Sequence, residues 1–546
     1  MMFHREMRMT TVAKRVVGTL QELGVRYFFG VPGGAFTDYL EALRQSDVEF
    51  VLVSNEAAGG FMATVCGRLT GIPGACFGTF GPGATNLSTG VGCGLLDRLP
   101  CIAFSDVASD AMSRRTMQMN IDHQALFGPI TKWTTRLPPD RVKETLYRAM
   151  HVALSEAPGP VHIGLPAGMG GDPAGDEDVR PEPPVGPPAP DTDALNRMVR
   201  IFGDARKPVL AVGWTAVRAG VRPLLVRIAE RTGAPIVLTP MAKGMCPEDH
   251  PSYAGVLNHA LSDQVALTHQ QADLVVGVGF DPVELNYEDW IPNVPVLHID
   301  TAPADLDRNR YTLACDVVGD LGTALRRLAE ADLPKTAWDL DELAARRTKM
   351  LARLDPPAGS FGPRAVLAGL REALPHDGIM ACDVGAHLHL IGQQWRTPEP
   401  DCLLMTNGWS SMGFAIPAAI AAKLCRPEKP VCCVVGDGGF LMMVGEMATA
   451  MRLGVHVVFV LMTDGSLSLI RIKQERKGYA EYGTPLHGAK YESARSFFGV
   501  PVLPAHDEPT YRQALKEAFA MDGPVLVEAF VDGHEYDDLL LKGNRS

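Results

Sequence analysis

Asp437 and Asp464 lie 27 positions apart, and each closes an apolar run rich in valine. The first stands in Gly436-Asp437-Gly438-Gly439, the second in Thr463-Asp464-Gly465-Ser466. The runs "VCCVV" and "VHVVFVLM" have the length and composition of buried parallel strands, with the helix-length segment "FLMMVGEMATAMRLG" between them. One strand-helix-strand crossover of this size brings both carboxylates to the carboxyl edge of a sheet, where α/β proteins bind ligands. Glycines there let the backbone approach a ligand, and the N–H groups that open the next helix suit an anion. Two carboxylates beside such a turn describe an Mg²⁺-diphosphate site, because Mg²⁺ takes oxygen ligands and shares them with phosphates. Either aspartate alone reads as turn chemistry. The pair at crossover spacing carries the metal reading.

A third carboxylate has a comparable address near the N-terminus. In "VLVSNEAAGGFMA", Glu56 follows a strand and opens a helix. In isolation it would only complement the positive end of the helix dipole.

The elements that position these groups repeat along the chain. "VEFVLVS" and "GACFGTF" read as strands around the helix "EAAGGFMATVCGRLTG", which Gly71 closes. "PVLAVGW", "PIVLT", "DLVVGVGF" and "PVLHID" follow in the middle, and "GIMACDVG", "PVCCVVGDG" and "VHVVFVLMTDG" in the last third. Continuous apolar strands alternating with helices predict parallel sheets covered on both faces. Two Pro- and Gly-rich stretches, "GGDPAGDEDVRPEPPVGPPAPDTD" and "RLDPPAGSFGPR", cannot be helix or central strand and read as linkers. They divide the 546 residues into three doubly wound α/β domains, 1–170, 192–350 and 360–546.

Composition narrows the class. Hydrophobic residues make up 46% and charged residues 21%, as in ordinary globular proteins. A formal charge of −12 without a basic stripe argues against nucleic acid. Eleven cysteines in apolar settings, none in a C-x-x-C pair, argue against a zinc site or a disulfide framework and for a reducing cytoplasm. The start, "MMFHREMRMTTVAKRVV", has no apolar h-region, and no apolar run approaches membrane-spanning length.

The Gly-Asp-Gly motif, with 25 residues between Gly438 and Asp464, resembles the cofactor motif of thiamine-diphosphate enzymes. The resemblance implies that Asp437, Asp464 and the backbone carbonyl of Ser466 bind Mg²⁺, with Gly436, Gly438 and Gly439 around the diphosphate. Most members have Asn at the second position, and Asp464 resembles the catabolic acetolactate synthases. Other segments are similar to the acetolactate synthase branch over nearly the whole chain. They include "FGVPGGAFTDYLEAL", "FGPGATNLSTGVGCGLLDRLP" with Phe80 where Ser or Thr is usual, "IDHQALFGPITKW", "VGFDPVELNYEDW" and "HIDTAPADLDRN". The first domain would then bind the aminopyrimidine and the third the diphosphate, with a central domain free of chemistry.

Within that resemblance Glu56 hydrogen-bonds the aminopyrimidine N1′ of the cofactor, a task suited to a carboxyl in a water-poor pocket. Gln118 is the nearest candidate for the active-site glutamine, one residue further from Asp122 than usual, and Gln124 competes for the role. "DVGAHLHLIGQQW" nominates His387 over His389 as the histidine near the diphosphate. In "TNGWSSMGFAIPAAIAA", Met412 stands where a bulky apolar residue holds the cofactor bent, and the carbonyl of Ser410 would receive its 4′-amino group. No G-x-G-x-x-G fingerprint marks the middle domain, so FAD is not expected.

The expected activity is a carboligation: a 2-oxo acid, pyruvate foremost, loses CO₂ and its acyl unit adds to a second carbonyl compound. Homodimers or homotetramers with inter-subunit sites are implied. The alternatives are a simple 2-oxoacid decarboxylase, a specialised synthase with a non-pyruvate acceptor, and a noncatalytic cofactor-binding subunit. The first of these lacks an adjacent His-His pair in the N-terminal domain to deliver protons.

Overall fold

The computed structural model describes residues 10–175, 177–286, 290–486 and 495–540. The first nine residues, residue 176 of the first linker and residues 287–289 of "VGFDPVELNYEDW" lie outside them.

Three parallel sheets follow one another along the chain. The first contains β1 (Tyr27–Gly30), β2 (Glu49–Leu52), β3 (Gly74–Gly78), β4 (Cys101–Val107), β5 (Trp133–Arg136) and β6 (Val161–Pro166), in the order β2-β1-β3-β4-β6-β5. The second contains β7 (Pro208–Val212), β8 (Ile236–Leu238), β9 (Tyr253–Val256), β10 (Leu274–Val278), β11 (Val296–Asp300) and β12 (Leu313–Val318), in the order β12-β11-β10-β7-β8-β9. The third contains β13 (Ile379–Cys382), β14 (Leu403–Leu404), β15 (Val431–Gly436), β16 (Val458–Thr463), β17 (Ser496–Phe497), β18 (Val500–Ala505) and β19 (Val525–Phe530), in the order β14-β13-β15-β16-β19-β18-β17. Only the short β17–β18 pairing is antiparallel among the described strands. The strands read from "GACFGTF", "PVLAVGW", "DLVVGVGF", "PVCCVVGDG" and "VHVVFVLMTDG" are buried nearly along their length, as sheets covered on both faces require, whereas β2, read from "VEFVLVS", is the edge strand and leaves Glu49 and Leu52 exposed.

Packing groups the chain into two compact units. One comprises Met1–Val185 with Ile420–Arg426 and Met443–Leu453; the other comprises Gly186–Ala419, Pro427–Met442 and Gly454–Ser546. In the first unit the helix Glu56–Thr70 crosses the helix Pro82–Leu96 at backbone distance. A Cβ on Gly60 would lie 2.8 Å from the Gly90 Cα, and a Cβ on Gly90 would lie 2.6 Å from the Ala57 carbonyl oxygen. The small residues of "EAAGG" and "GVGCG" therefore set how closely Glu56 and its neighbours approach the second helix.

One element departs from its reading. The expected single helix across "FLMMVGEMATAMRLG" is two, Asp437–Met443 and Glu446–Leu453, with a break at Val444–Gly445. Tertiary bonds cause the break: the Ser54 hydroxyl donates to the Gly445 carbonyl at 2.8 Å, and the Ser54 and Asn55 N–H groups donate to the Glu446 carboxylate at 2.9 and 3.0 Å. No described helix is long and apolar enough to cross a membrane.

Candidate active site

The register of the third sheet aligns three strand ends. β13, β15 and β16 are neighbours, and Asp383, Asp437 and Asp464 are the residues that directly follow them. Asp437 Oδ2 accepts the backbone N–H groups of Asp464 and Gly465 at 3.0 and 2.9 Å. Asp464 accepts the Ser466 N–H at 3.1 Å and the Ser468 hydroxyl at 2.6 Å. Asp437 Oδ1 is buried without a protein partner. Burial pushes the Asp437 carboxyl up to about 6, and the Asp464 charge pushes it the same way; Asp464 is raised chiefly by burial. Two carboxylates held together, one with an orphaned oxygen, fit a cation that would offset both charges. The antiparallel bridge of Ser466 with Pro485 uses the Gly465 carbonyl and the Leu467 N–H, so the Ser466 carbonyl is not committed to it. Among the described residues no group of three or more His, Cys, Asp or Glu surrounds a metal position. A cation here would complete its shell from the Ser466 carbonyl and ligand oxygens.

These groups line a cavity of about 230 Å³ that also takes in His387, Ser410, Met412, Gly436, Gly438 and Gly439. Met412 faces the glycine turn: a Cβ on Gly438 would come 2.6 Å from its Cε. Ser410 has a φ of +53°, an uncommon conformation for a residue with a Cβ, and its hydroxyl donates to the Asn407 carbonyl at 2.8 Å. His387 is buried with Nε2 unpartnered, and burial lowers it to about 4, so the ring is neutral near pH 7. His389 lies outside the residues lining this cavity. A larger cavity of about 560 Å³ collects Arg222, Arg347, Arg371 and Arg396 elsewhere in the same unit. It holds the Arg222–Glu399 ion pair but none of the strand-end aspartates.

In the first unit Glu56 is the first residue of its helix and is 8% exposed. Asn55 caps the helix by accepting the Ala57 N–H at 2.9 Å, and Asn86 donates to Glu56 Oε2 at 3.0 Å. Glu56 Oε1 lies against Gly83, where a Cβ would come within 3.2 Å of it. The Thr79–Gly83 turn has its own support, since the Thr79 hydroxyl donates to buried Asp106 at 2.9 Å. Burial pushes Asp106 up to about 6. The two competing glutamines separate. Gln124 donates to the Thr135 carbonyl at 3.3 Å and packs on Gly164, whereas Gln118 is exposed in a turn.

Three profiles of known families match the chain in order. They are the thiamine pyrophosphate enzyme N-terminal TPP binding domain over residues 10–126, the central domain over 195–328, and the C-terminal TPP binding domain over 383–529. The acetolactate synthase of Bacillus subtilis (strain 168) is 28% identical, with 95% of this chain and 93% of that protein aligned. The acetolactate synthase large subunit of Parasynechococcus marenigrum is 30% identical, with 95% and 87% aligned, and that of Corynebacterium glutamicum is 30% identical, with 84% and 76% aligned. The chain belongs to the thiamine-diphosphate-dependent enzymes, in their acetolactate synthase-like branch.

In this thiamine-diphosphate enzyme the C-terminal match begins at Asp383, a residue that the sequence reading passed over. Asp383 is fully buried and accepts backbone N–H groups from Val384, Gly413 and Ala415 at 2.8, 2.9 and 3.0 Å. It anchors the segment after Met412, and it requires Gly439, where a Cβ would lie 2.5 Å from Asp383 Oδ1. The signal was present, since "GIMACD" ends an apolar run on Asp as the other two strands do. Glu446 was also missed. It is 1% exposed and holds the Ser54-Asn55 backbone that leads into Glu56.

Proposed function

We propose that this acetolactate synthase-like enzyme uses thiamine diphosphate with Mg²⁺ to decarboxylate pyruvate and to join the acyl unit to a second carbonyl compound. With pyruvate as acceptor the product is 2-acetolactate. The observation that carries the reading is the Asp437–Asp464 pair, with its orphaned oxygen, beside the Gly436–Gly439 turn. Asp437, Asp464 and the Ser466 carbonyl would hold the metal, and the glycine turn with neutral His387 would receive the diphosphate. When bound, the cofactor supplies an electron sink for the acyl unit left by loss of CO₂. Met412 would support the bent cofactor, and the Ser410 carbonyl would accept its amino group. Glu56, held on Asn86, would exchange a proton at the aminopyrimidine. We assign Gln118 to the substrate side, since Gln124 is committed to Thr135.

Carboligation is favoured over simple decarboxylation by a buried chain in the first unit. Ser105 bridges His123 at 2.7 Å and His162 at 2.8 Å, and burial lowers both rings, His123 to about 4. Neutral histidines held on one buried hydroxyl are poor donors for quenching a carbanion. We further propose domain limits of 1–170, 192–350 and 360–546, a homodimer or homotetramer in which Glu56 of one subunit serves the metal clamp of another, and a cytoplasmic setting, which eleven buried free thiols support. Incubation with pyruvate, thiamine diphosphate and Mg²⁺, followed by product analysis, tests the reaction. Acetolactate is expected; acetaldehyde as the sole product would instead establish a decarboxylase.

A further inference from the structure

Besides the cofactor cavity, the second unit encloses the cavity of about 560 Å³ that the proposed reaction does not use. Four helices bring an arginine to it. Arg222 opens the helix Arg222–Thr232, Arg347 stands on the helix Leu340–Ala352, Arg371 on the helix Pro363–Ala373, and Arg396 just beyond the helix Ala386–Gln394. In a chain of formal charge −12, so many cations around one cavity are not a sample of the surface at large.

The carboxylates of the same wall do not balance them. Glu399 pairs with Arg222. Glu248 is buried and committed, since its Oε1 accepts the Lys243 ammonium at 2.9 Å and the Thr397 N–H at 3.0 Å. Asp249, exposed, is the remaining carboxylate of the lining. Three guanidinium charges less that one carboxylate leave an excess of two, the charge of a phosphate dianion.

Helix capping explains part of the arrangement. Arg347 donates to the His250 carbonyl, and Arg371 Nη2 donates to the Leu374 and Pro375 carbonyls at 2.6 and 2.8 Å. Capping leaves the rest unexplained. Arg371 Nη1 is buried without a partner, and so is the hydroxyl of Thr397, a lining residue with no exposed surface. Arg396 is exposed and makes no hydrogen bond or ion pair among the described residues. Burial pushes the Arg371 guanidinium down, a cost that a neighbouring anion would offset. Planar guanidinium groups match phosphate oxygens two at a time. The volume exceeds that of a phosphate ion and leaves room for an organic group along Pro247, Leu351 and Pro398.

We propose that this cavity is a binding site for an organic phosphate, with Arg347, Arg371, Arg396 and the Thr397 hydroxyl holding the phosphoryl oxygens. It is separate from the cofactor cavity. The helix Ala386–Gln394 carries His387 at its start and leads into Arg396 at its end, about 13 Å of helix away. The site stands independently of the function proposed above.

Calorimetric titration of the full chain with inorganic phosphate and with phenyl phosphate, in EDTA without Mg²⁺, tests it. One saturable site is expected in the wild type and equally in Asp437→Ala, which disables only the metal clamp. Phenyl phosphate should bind more tightly than inorganic phosphate. Arg396→Glu, at an exposed and unpaired position, should fold normally and bind either probe weaker by about tenfold or more, and Arg347→Gln should act in the same direction. Should Arg347→Gln not fold, Arg396→Glu decides alone. Absence of saturable binding, loss of binding in Asp437→Ala, or undiminished binding by Arg396→Glu would overturn the site. Acetate at matched ionic strength is expected to leave phosphate binding unchanged, and saturable competition by acetate would overturn the phosphate class.

Discussion

Carboxylates in this protein do different work according to what surrounds them. Glu56 has one oxygen on Asn86 and the other against Gly83, an arrangement that Gln can copy in shape but not in proton exchange. Glu56→Gln should therefore keep cofactor affinity and lose turnover by about 10²–10⁴-fold, measured by steady-state kinetics at saturating cofactor. Asp106 gives a cleaner test of burial. Its carboxyl is raised to about 6 with Thr79 as its hydrogen-bond donor, so the folded protein holds that proton more tightly than the unfolded chain. The stability this contributes is present below about pH 4 and is lost as the pH rises through 6, a change on the order of 3 kcal/mol. Asp106→Asn, neutral throughout, should flatten that part of the stability–pH curve, as read by denaturation at pH 4, 5, 6 and 7. The Asp437–Asp464 pair was legible in the sequence because both members carry a strand-end signature at crossover spacing. Glu446 was not, because it binds backbone groups far away in the chain: it lies 392 positions from Ser54.

At the scale of elements, the glycine turn after β15 shows how neighbours decide a substitution. A Cβ on Gly438 meets the far end of the Met412 side chain, which can move. A Cβ on Gly439 meets Asp383, which accepts three backbone N–H groups and cannot. Gly439→Ala should destabilise the protein by about 1–3 kcal/mol, whereas Gly438→Ala should fold with near-normal stability and weaken cofactor binding by displacing Met412. Thermal unfolding and a cofactor titration on both variants separate the two effects. Strands such as "GACFG" and "VCCVV" were readable because a buried parallel strand is a continuous apolar run. The helix after Asp437 was misread as one piece because its apolar pattern runs through Gly445, and what breaks it is a bond from Ser54. Local periodicity carries no record of such a contact.

The whole molecule is built on three mainly parallel sheets, with Glu56 following a strand of the first and Asp437 and Asp464 following strands of the third. The fold class was legible throughout, because alternating strand and helix patterns separated by proline-rich linkers admit few other arrangements. The strand order of the central sheet was not legible, since it exists only in three dimensions. The proposed cofactor site depends on charge: the third sheet holds two neighbouring carboxylates that are costly without a cation. Binding of a diphosphate there should therefore require the metal, and stabilise the folded chain by mass action. Calorimetric titration of the wild type and Asp437→Ala with thiamine diphosphate, with and without Mg²⁺, measures this directly. Saturable binding to the wild type only when Mg²⁺ is present, and its loss in Asp437→Ala, is the expected result. Equal binding without Mg²⁺, or undiminished binding by Asp437→Ala, would contradict the assignment of this edge as a metal-diphosphate clamp.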